Sequence, residues 1–284
     1  MGKKLPQVGL VMKSMEAEFF QEMKNGAVEY VKNRGDLELL SVGTETQTEI
    51  QKQIQLVEEL IERDVDAIVV VPIDSKALVA PVIKAVNADI NVINIDIMLD
   101  RKLLGEQEID ILFIGPDNEK AAKIVGDVLA KELGRDGKVI IIEGVPAAMN
   151  SQQRKQGFLD SIKEHGLNLL VSGVANWETE QAYTVFSSLF HNYPDVQGVM
   201  CANDAMAIGV YKALKELKKD GKIQLIGFDN DASVAPLINE KKMLATIDCF
   251  GNQMAIKGID YAMRTLHGEI HKGWIKTEMK LITG

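Results

Sequence analysis

Only two of the 284 residues are cysteine, Cys201 and Cys249, and they lack the close spacing of a metal or redox motif. They read as two buried thiols, although a single disulfide stays open. Histidine is scarce as well. His165, His191, His267 and His271 all fall in helix ends or surface-like segments, and none follows an apolar run. This argues against a histidine-ligated metal and against a Ser–His–Asp arrangement, for which no GxSxG turn is present either. Neither GxGxxG nor GxxxxGK[ST] occurs, so no phosphate-cradling loop is in view. No apolar run reaches eighteen residues, which leaves no membrane-spanning helix to expect. Positive charge is in deficit: 32 Lys and Arg stand against 41 Asp and Glu, a net charge of -9. Proteins that bind nucleic acid draw much of their affinity from a basic stripe, and none is found here. The short run Lys215-Glu216-Leu217-Lys218-Lys219 reads as a solvated helix end that complements the helix dipole. The chain opens with Met1-Gly2-Lys3-Lys4 directly before an apolar run, so a secretory leader is expected to be absent from this form of the chain.

What is present is an alternation of short apolar runs and longer amphipathic segments. The runs are Val8–Met12, Leu37–Val42, Ala67–Val71, Val92–Ile95, Ile111–Ile114, Val139–Ile142, Leu169–Val174, Val196–Cys201 and Ile223–Gly227. They are short, rich in β-branched residues and apolar at consecutive positions, as parallel strands covered on both faces are. Between them, Phe20, Met23, Ala27, Tyr30 and Val31 share one helical face, as do Ile50, Ile54, Val57 and Ile61, and Ala121, Ile124, Val125, Val128 and Leu129. Gly35, Gly134 and Gly166 follow helical runs where a left-handed residue is expected. Repeated βα units of this size imply an α/β fold with right-handed crossovers. The length suits two parallel sheets of five to six strands better than one large sheet. A passage between them is expected at Gly115-Pro116-Asp117-Asn118, a turn and helix-cap cluster.

Ligands of open parallel sheets bind beyond the carboxyl ends of the strands. The residues there are Lys13 and Ser14, Pro72 and Asp74, Asp96, Asp117 and Asn118, Asn150 to Arg154, Trp177, Asn203 and Asp204, and Asp229 to Asp231. A divalent metal held by Asp residues and acid–base chemistry by two of them both remain open. A polyhydroxylated ligand fits the mixture better. Its hydroxyls both donate and accept, so carboxylates beside arginine and amides suit it, and an aromatic ring covers its C–H face. Trp177 stands where a strand ends and a helix begins, and Phe19 and Phe20 open the first helix. One of that phenylalanine pair is expected in the core and one toward the ligand.

Lys13-Ser14-Met15-Glu16-Ala17-Glu18-Phe19-Phe20 resembles the first-strand loop of type I periplasmic sugar-binding proteins, with the ribose- and allose-binding members nearest. Val71-Pro72-Ile73-Asp74-Ser75, Ile95-Asp96, Asp117-Asn118, Arg154 ahead of Gly157-Phe158, Cys201-Ala202-Asn203-Asp204 and Gly227-Phe228-Asp229 follow in that family's order. The resemblance spans nearly the whole chain. It implies two similar doubly wound parallel-sheet lobes, joined by three hinge crossings, with the ligand in the cleft between them. The lobes would be residues 1–116 plus 250–277, and 117–249 plus 278–284. It further implies that Phe20 or Phe19 and Trp177 sandwich the sugar, that Asp96 accepts from its hydroxyls, and that Arg154 donates beside Asp229 and Asn203. Lys13 matches allose-type receptors. Where ribose-type receptors carry Asn, this chain has Ala17 and Val71; Ile97 replaces their Arg, and Cys249, beside Asp248, replaces their Gln. A monosaccharide other than ribose, or a sugar alcohol, is therefore expected, with Lys13 supplying part of the lost hydrogen bonding.

The resemblance implies a monomeric receptor outside the cytoplasmic membrane, periplasmic or extracellular and tied to the membrane by its partner or a lipid anchor. That partner would be the permease of an ABC importer, or in some relatives a chemoreceptor or sensor kinase. No cofactor, metal or catalytic residue is called for. Two rival readings are the effector domain of a LacI-type regulator, whose helix-turn-helix has no room before the first strand, and an enzyme using Asp96, Asp204 or Asp229.

Overall fold

The computed structural model describes residues 5–284; the Met1-Gly2-Lys3-Lys4 start lies outside the described residues. The chain divides into two compact units. The first comprises the chain through Pro116, Ala147–Met149 and Phe250–Thr277, and the second Asp117–Pro146, Asn150–Cys249 and Glu278–Gly284.

The first unit alternates β1 (Gln7–Met12), α1 (Glu18–Arg34), β2 (Glu38–Gly43), α2 (Ile50–Glu62), β3 (Ala67–Val70), α3 (Val79–Asn87), β4 (Asn91–Ile95), α4 (Arg101–Gly105) and β5 (Phe113–Gly115). The chain returns to it later as α10 (Gly251–Leu266) and β11 (Trp274–Lys276). Its sheet runs β11-β5-β4-β3-β1-β2, with every pairing parallel. The second unit holds α5 (Asn118–Leu133), β6 (Lys138–Glu143), α6 (Met149–His165), β7 (Asn168–Val174), α7 (Thr179–Asn192), β8 (Gly198–Cys201), α8 (Asp204–Glu216), β9 (Gln224–Ile226), α9 (Ala235–Asn239), β10 (Ala245–Asp248) and β12 (Lys280–Thr283). Its sheet runs β12-β10-β9-β8-β6-β7, parallel except at β12, the antiparallel edge. The two sheets share one winding, the doubly wound α/β pattern.

The inner strands β3 and β8 are buried at every residue, as their unbroken apolar runs require. The edge strands β2 and β7 are only partly covered along most of their length, since an edge has a neighbour on one side alone. The nine apolar runs do not include β10, β11 or β12. β11 and β12 are short edge strands carrying Lys276 and Lys280, and charged, half-exposed segments give little apolar signal. Gly35, Gly134 and Gly166 all have left-handed φ, +72°, +73° and +70°, as their places after helices predict.

Three details depart from the sequence pattern. The buried stripe of α2 is Gln53, Leu56, Val57 and Leu60, one position round from the expected Ile50–Ile54–Val57–Ile61 face, because the Gln53 amide is drawn inward to backbone groups of two strand tips. In α5 the buried face includes Ala122, Gly126 and Ala130, and Ile124 and Val128 are only partly covered. Small residues let this helix lie close: a Cβ on Gly126 would stand 3.0 Å from Ser161. Finally, Ala147–Met149 groups with the first unit, where the Ser75 amide donates to Ala147 O at 3.3 Å and Ser75 Oγ accepts from the Met149 amide at 2.9 Å.

Candidate functional site

Each unit gathers polar and aromatic side chains at the carboxyl ends of its central strands. In the first unit, Lys13 follows β1 and is 4% exposed, and its Nζ stands 5.3 Å from the centre of the Phe20 ring, a cation–π contact. Phe19 and Phe20 meet edge to face, with centroids 5.1 Å apart. Phe19 lies against the start of α10, where a Cβ on Gly251 would come within 2.7 Å of its ring. Both rings are buried, Phe20 more fully (3% against 8% exposed): Phe19 packs on α10, and Phe20 carries Lys13.

Buried amides and hydroxyls shape the loops that present these residues. Thr44 Oγ1 donates to the Lys13 carbonyl at 2.7 Å. Ser14 Oγ accepts from the amides of Glu16 and Ala17, ordering the turn into α1. Gln53 Nε2 donates to the carbonyls of Met12 (3.2 Å) and Val71 (2.8 Å), and its Oε1 accepts from the Ile73 amide (2.7 Å), tying the tips of β1 and β3. Asn94 does the same for the tip of β4: Nδ2 donates to Ile97 O at 2.8 Å and Oδ1 accepts from the Leu99 amide at 2.9 Å. That turn holds Asp96 at φ +61°, a left-handed conformation that Asp tolerates better than most residues. Val71 and Ile97, the apolar replacements noted in the sequence, are fully buried.

In the second unit Arg154, Trp177, Asn203 and Asp229 form one connected cluster centred on Arg154, which projects from α6 and is 3% exposed. Its Nε donates to Asn118 Oδ1 at 3.0 Å, and Nη1 donates to Ala202 O at 2.7 Å and pairs with Asp229 Oδ1 at 3.1 Å. The guanidinium lies 3.6 Å from the Phe228 ring centre and 5.5 Å from that of Trp177. The cation is thus oriented by an amide, a carbonyl, a carboxylate and two aromatic faces, an arrangement suited to the planar fork of arginine and not to lysine. Trp177 packs over Gly144, where a Cβ would meet its ring at 2.2 Å, and the tryptophan itself has φ +70°. A bulky residue in that region is held there by its surroundings, and such strain gathers at ligand sites.

Asn203 caps α8, its Oδ1 accepting from the Met206 amide at 2.9 Å while Nδ2 points to Trp177 O at 3.5 Å. Asp229 (φ +111°) and Asn230 (φ +58°) both depart from ordinary backbone geometry beyond β9. Asn230 Nδ2 donates to Asp248 Oδ2 at 3.1 Å. Cys249, buried, follows Asp248 at the end of β10. Both cysteines are thiols, and burial pushes the Cys201 thiol well above its usual pKa. Asp204, which the sequence offers as a strand-tip ligand or acid–base group, has no exposed surface and serves the backbone instead.

Several contributors escaped the sequence pattern. Gln53 and Asn94 carried one signal each: a polar residue on the apolar stripe of α2, and another inside the apolar run of β4. Phe228 stood only inside the Gly227-Phe228-Asp229 motif with no role given to it, and Thr246 gave no signal, since it reads as an ordinary strand residue.

The chain matches the periplasmic binding protein domain family over residues 8–270. It is 38% identical to a D-ribose/D-allose-binding protein of Pseudomonas aeruginosa, over 98% of this chain and 89% of that one. Among solved structures it resembles an ABC transporter solute-binding protein of Burkholderia multivorans holding an unknown ligand represented as alpha-D-erythrofuranose. The TM-score is 0.96 and the identity 39%, covering 99% of this chain and all of the other. It also resembles a periplasmic solute-binding protein of Actinobacillus succinogenes with bound D-allose, with a TM-score of 0.93, 31% identity and coverage of 98% and 97%.

Proposed function

The chain belongs to the periplasmic binding protein family, and we propose that it is a receptor that captures a monosaccharide or sugar alcohol for an ABC importer. The observation that carries this reading is the caged guanidinium of Arg154 with the Asp229 carboxylate and the Trp177 ring around it. A pyranose presents hydroxyls that take hydrogen bonds from an arginine and give them to a carboxylate, and it presents C–H faces to an aromatic ring. Lys13, Phe20 and Asp96 offer the first unit's half of the same chemistry, and Asn203 and Cys249 complete the second unit's.

The mechanism follows from these half-sites. A sugar engages these residues, closure follows, and water is expelled. Closure of this kind around a ligand is characteristic of periplasmic binding proteins as a class. In a dry site each unmatched hydroxyl, or each protein donor left without a partner, penalises the wrong ligand, so selectivity comes from buried polar groups. The closed receptor, outside the cytoplasmic membrane, then docks on the permease within it. No step makes or breaks a covalent bond in the ligand, so the protein acts as a binding protein and not as an enzyme.

Val71 and Ile97, with no exposed surface, and Cys249 remove hydrogen-bonding groups, and Lys13 restores one. We infer that D-allose or another hexose, or a polyol, binds more tightly than D-ribose. Isothermal titration calorimetry against D-allose, D-ribose, other hexoses and polyols tests both levels. Saturable binding of one hexose or polyol ahead of D-ribose is expected. Tight binding of D-ribose alone refutes the choice of ligand, and silence across the whole panel refutes the receptor reading.

A further inference from the structure

Behind the Asp229 turn lies a buried network that the sugar-contacting residues do not include. Asp204 and Thr246 are both fully buried. Thr246 Oγ1 stands 2.9 Å from Asp204 Oδ1 and 2.9 Å from Oδ2, and it accepts from the Asn230 amide at 3.2 Å. Asp204 Oδ2 also accepts from the Asp231 amide at 3.0 Å. Asp204 Oδ1 lies over the Cα of Gly227, so close that a Cβ there would be 2.1 Å away. The Asp229–Asn230–Asp231 turn is therefore fastened from behind at two successive amides, and both directly follow Asp229, whose φ is +111°.

Two proton arrangements fit this network, and complete burial of the Asp204 carboxyl favours the neutral one. A threonine hydroxyl has one proton, which it either shares between the two carboxyl oxygens or gives to one of them while the other, protonated, donates back. With Oγ1 donating to Oδ2, the equally short contact to Oδ1 is satisfied when Oδ1 carries a proton and donates back. Threonine then makes one donation and accepts two hydrogen bonds, from Oδ1 and from the Asn230 amide, which fills its capacity. We propose that Asp204 is a positioning residue for the sugar half-site of the second unit, held as a neutral carboxylic acid that locks Thr246 and the 229–231 turn and so fixes the Asp229 carboxylate on Arg154.

Burial acts in the same direction, since it and the nearby Asp229 charge raise the Asp204 pKa well above the usual carboxylate range, against the pull of Thr246 and the backbone amides of Asp231 and Phe228. The titratable groups facing Asp204 are Asp229 from the turn beyond β9 and Cys201 from β8. Arg154 bridges Asp229 at 3.1 Å, Asp248 bonds Asn230, and Asp231 contributes its amide. Cys201 stays neutral through the range used below.

The sign of the pH effect is fixed. A carboxyl whose folded pKa lies above its unfolded value gives its full stabilisation below the unfolded value and loses it as pH rises through the folded one. Between those values the unfolded chain has released a proton that the folded chain keeps. The folding constant of the wild type therefore falls relative to Asp204→Asn by about tenfold per pH unit. Asparagine mimics the neutral acid: Nδ2 donates to Thr246 and Oδ1 accepts from the Thr246 hydroxyl and the Asp231 amide.

The experiment measures urea unfolding of the full chain and of Asp204→Asn from about pH 5 to about pH 7, together with D-allose titrations of both and of Asp204→Ala. The difference between wild type and Asp204→Asn cancels the titrating groups that do not interact with Asp204. The stability arm needs no ligand, while the affinity arm rests on the sugar-receptor reading. We expect the stability gap to move toward Asp204→Asn with rising pH. Asp204→Asn keeps D-allose affinity within about threefold, and Asp204→Ala, if folded, loses about tenfold or more. A pH-independent gap overturns the neutral acid. Equal D-allose affinities in all three proteins overturn the positioning role. A wild type that ignores D-allose and every other sugar overturns the receptor reading, and the stability arm still decides the proton.

Discussion

Replacing Arg154 by methionine keeps the length and apolar stem of the side chain and removes the charge. The wild-type guanidinium faces the Asp229 carboxylate at 3.1 Å, with the two side chains 3% and 8% exposed. At an effective dielectric of about 20, a pair at that distance attracts by roughly 5 kcal/mol before desolvation is counted. Removing one member leaves Asp229 as a buried charge without its arginine, and Asn118 Oδ1 and Ala202 O without their donor. Breaking such a pair costs about 3–5 kcal/mol. With a urea dependence of about 2 kcal/mol per molar, the unfolding midpoint of the second unit falls by about 2 M. In a Trp274→Phe background, Trp177 is the single tryptophan, so its fluorescence reports that unit alone. Pairing Arg154→Met with Asp229→Asn removes the orphaned charge, and the double variant is expected to recover about 2 kcal/mol relative to the sum of the singles. D-allose affinity is lost in all three. Additive single effects, or an Arg154→Met shift under about 0.5 M, would show that the pair is solvated and that the cage is not a desolvated site.

Two further substitutions probe the supports. Gly144→Ala drives a methyl into the Trp177 ring, which a Cβ would meet at 2.2 Å; a stability loss of about 1–3 kcal/mol and a weakening of D-allose binding by at least about tenfold are expected, by urea unfolding and calorimetry. Asn94→Leu removes the bonds to Ile97 O and from the Leu99 amide in a fully covered site. It should cost about 2–3 kcal/mol and loosen the Asp96 turn, seen as faster amide hydrogen exchange at residues 96–99; unchanged exchange would show that the turn holds itself.

Much of this was legible in the residues. Unbroken apolar runs such as those of β3 and β8 mark strands covered on both faces, and the glycines after α1, α5 and α6 mark where those helices stop. These signals are local: a strand's burial and a helix's end are written in consecutive residues. The residues beyond the strands also stood out, because polar side chains directly after apolar runs have few other places to be. The edge strands β11 and β12 did not, since they owe their pairing to neighbours distant in sequence and not to their own apolar content.

Sequence by itself determined the α/β alternation, the nine strands that carry apolar runs, and the set of polar and aromatic residues at the strand ends. Only the tertiary structure sorted that set. It turned Phe20 toward Lys13 and Phe19 onto α10, stood Arg154 on Phe228, and withdrew Asp204 from any ligand to hold a turn. It also recruited Gln53, Asn94 and Thr246, which no motif marks. The reason is the reach of the interactions. Arg154 meets Ala202 and Asn118 across 48 and 36 residues, and Asp204 meets Thr246 across 42. The chemistry of a side chain is fixed where it stands in the chain, but its role is fixed by partners that only folding brings to it.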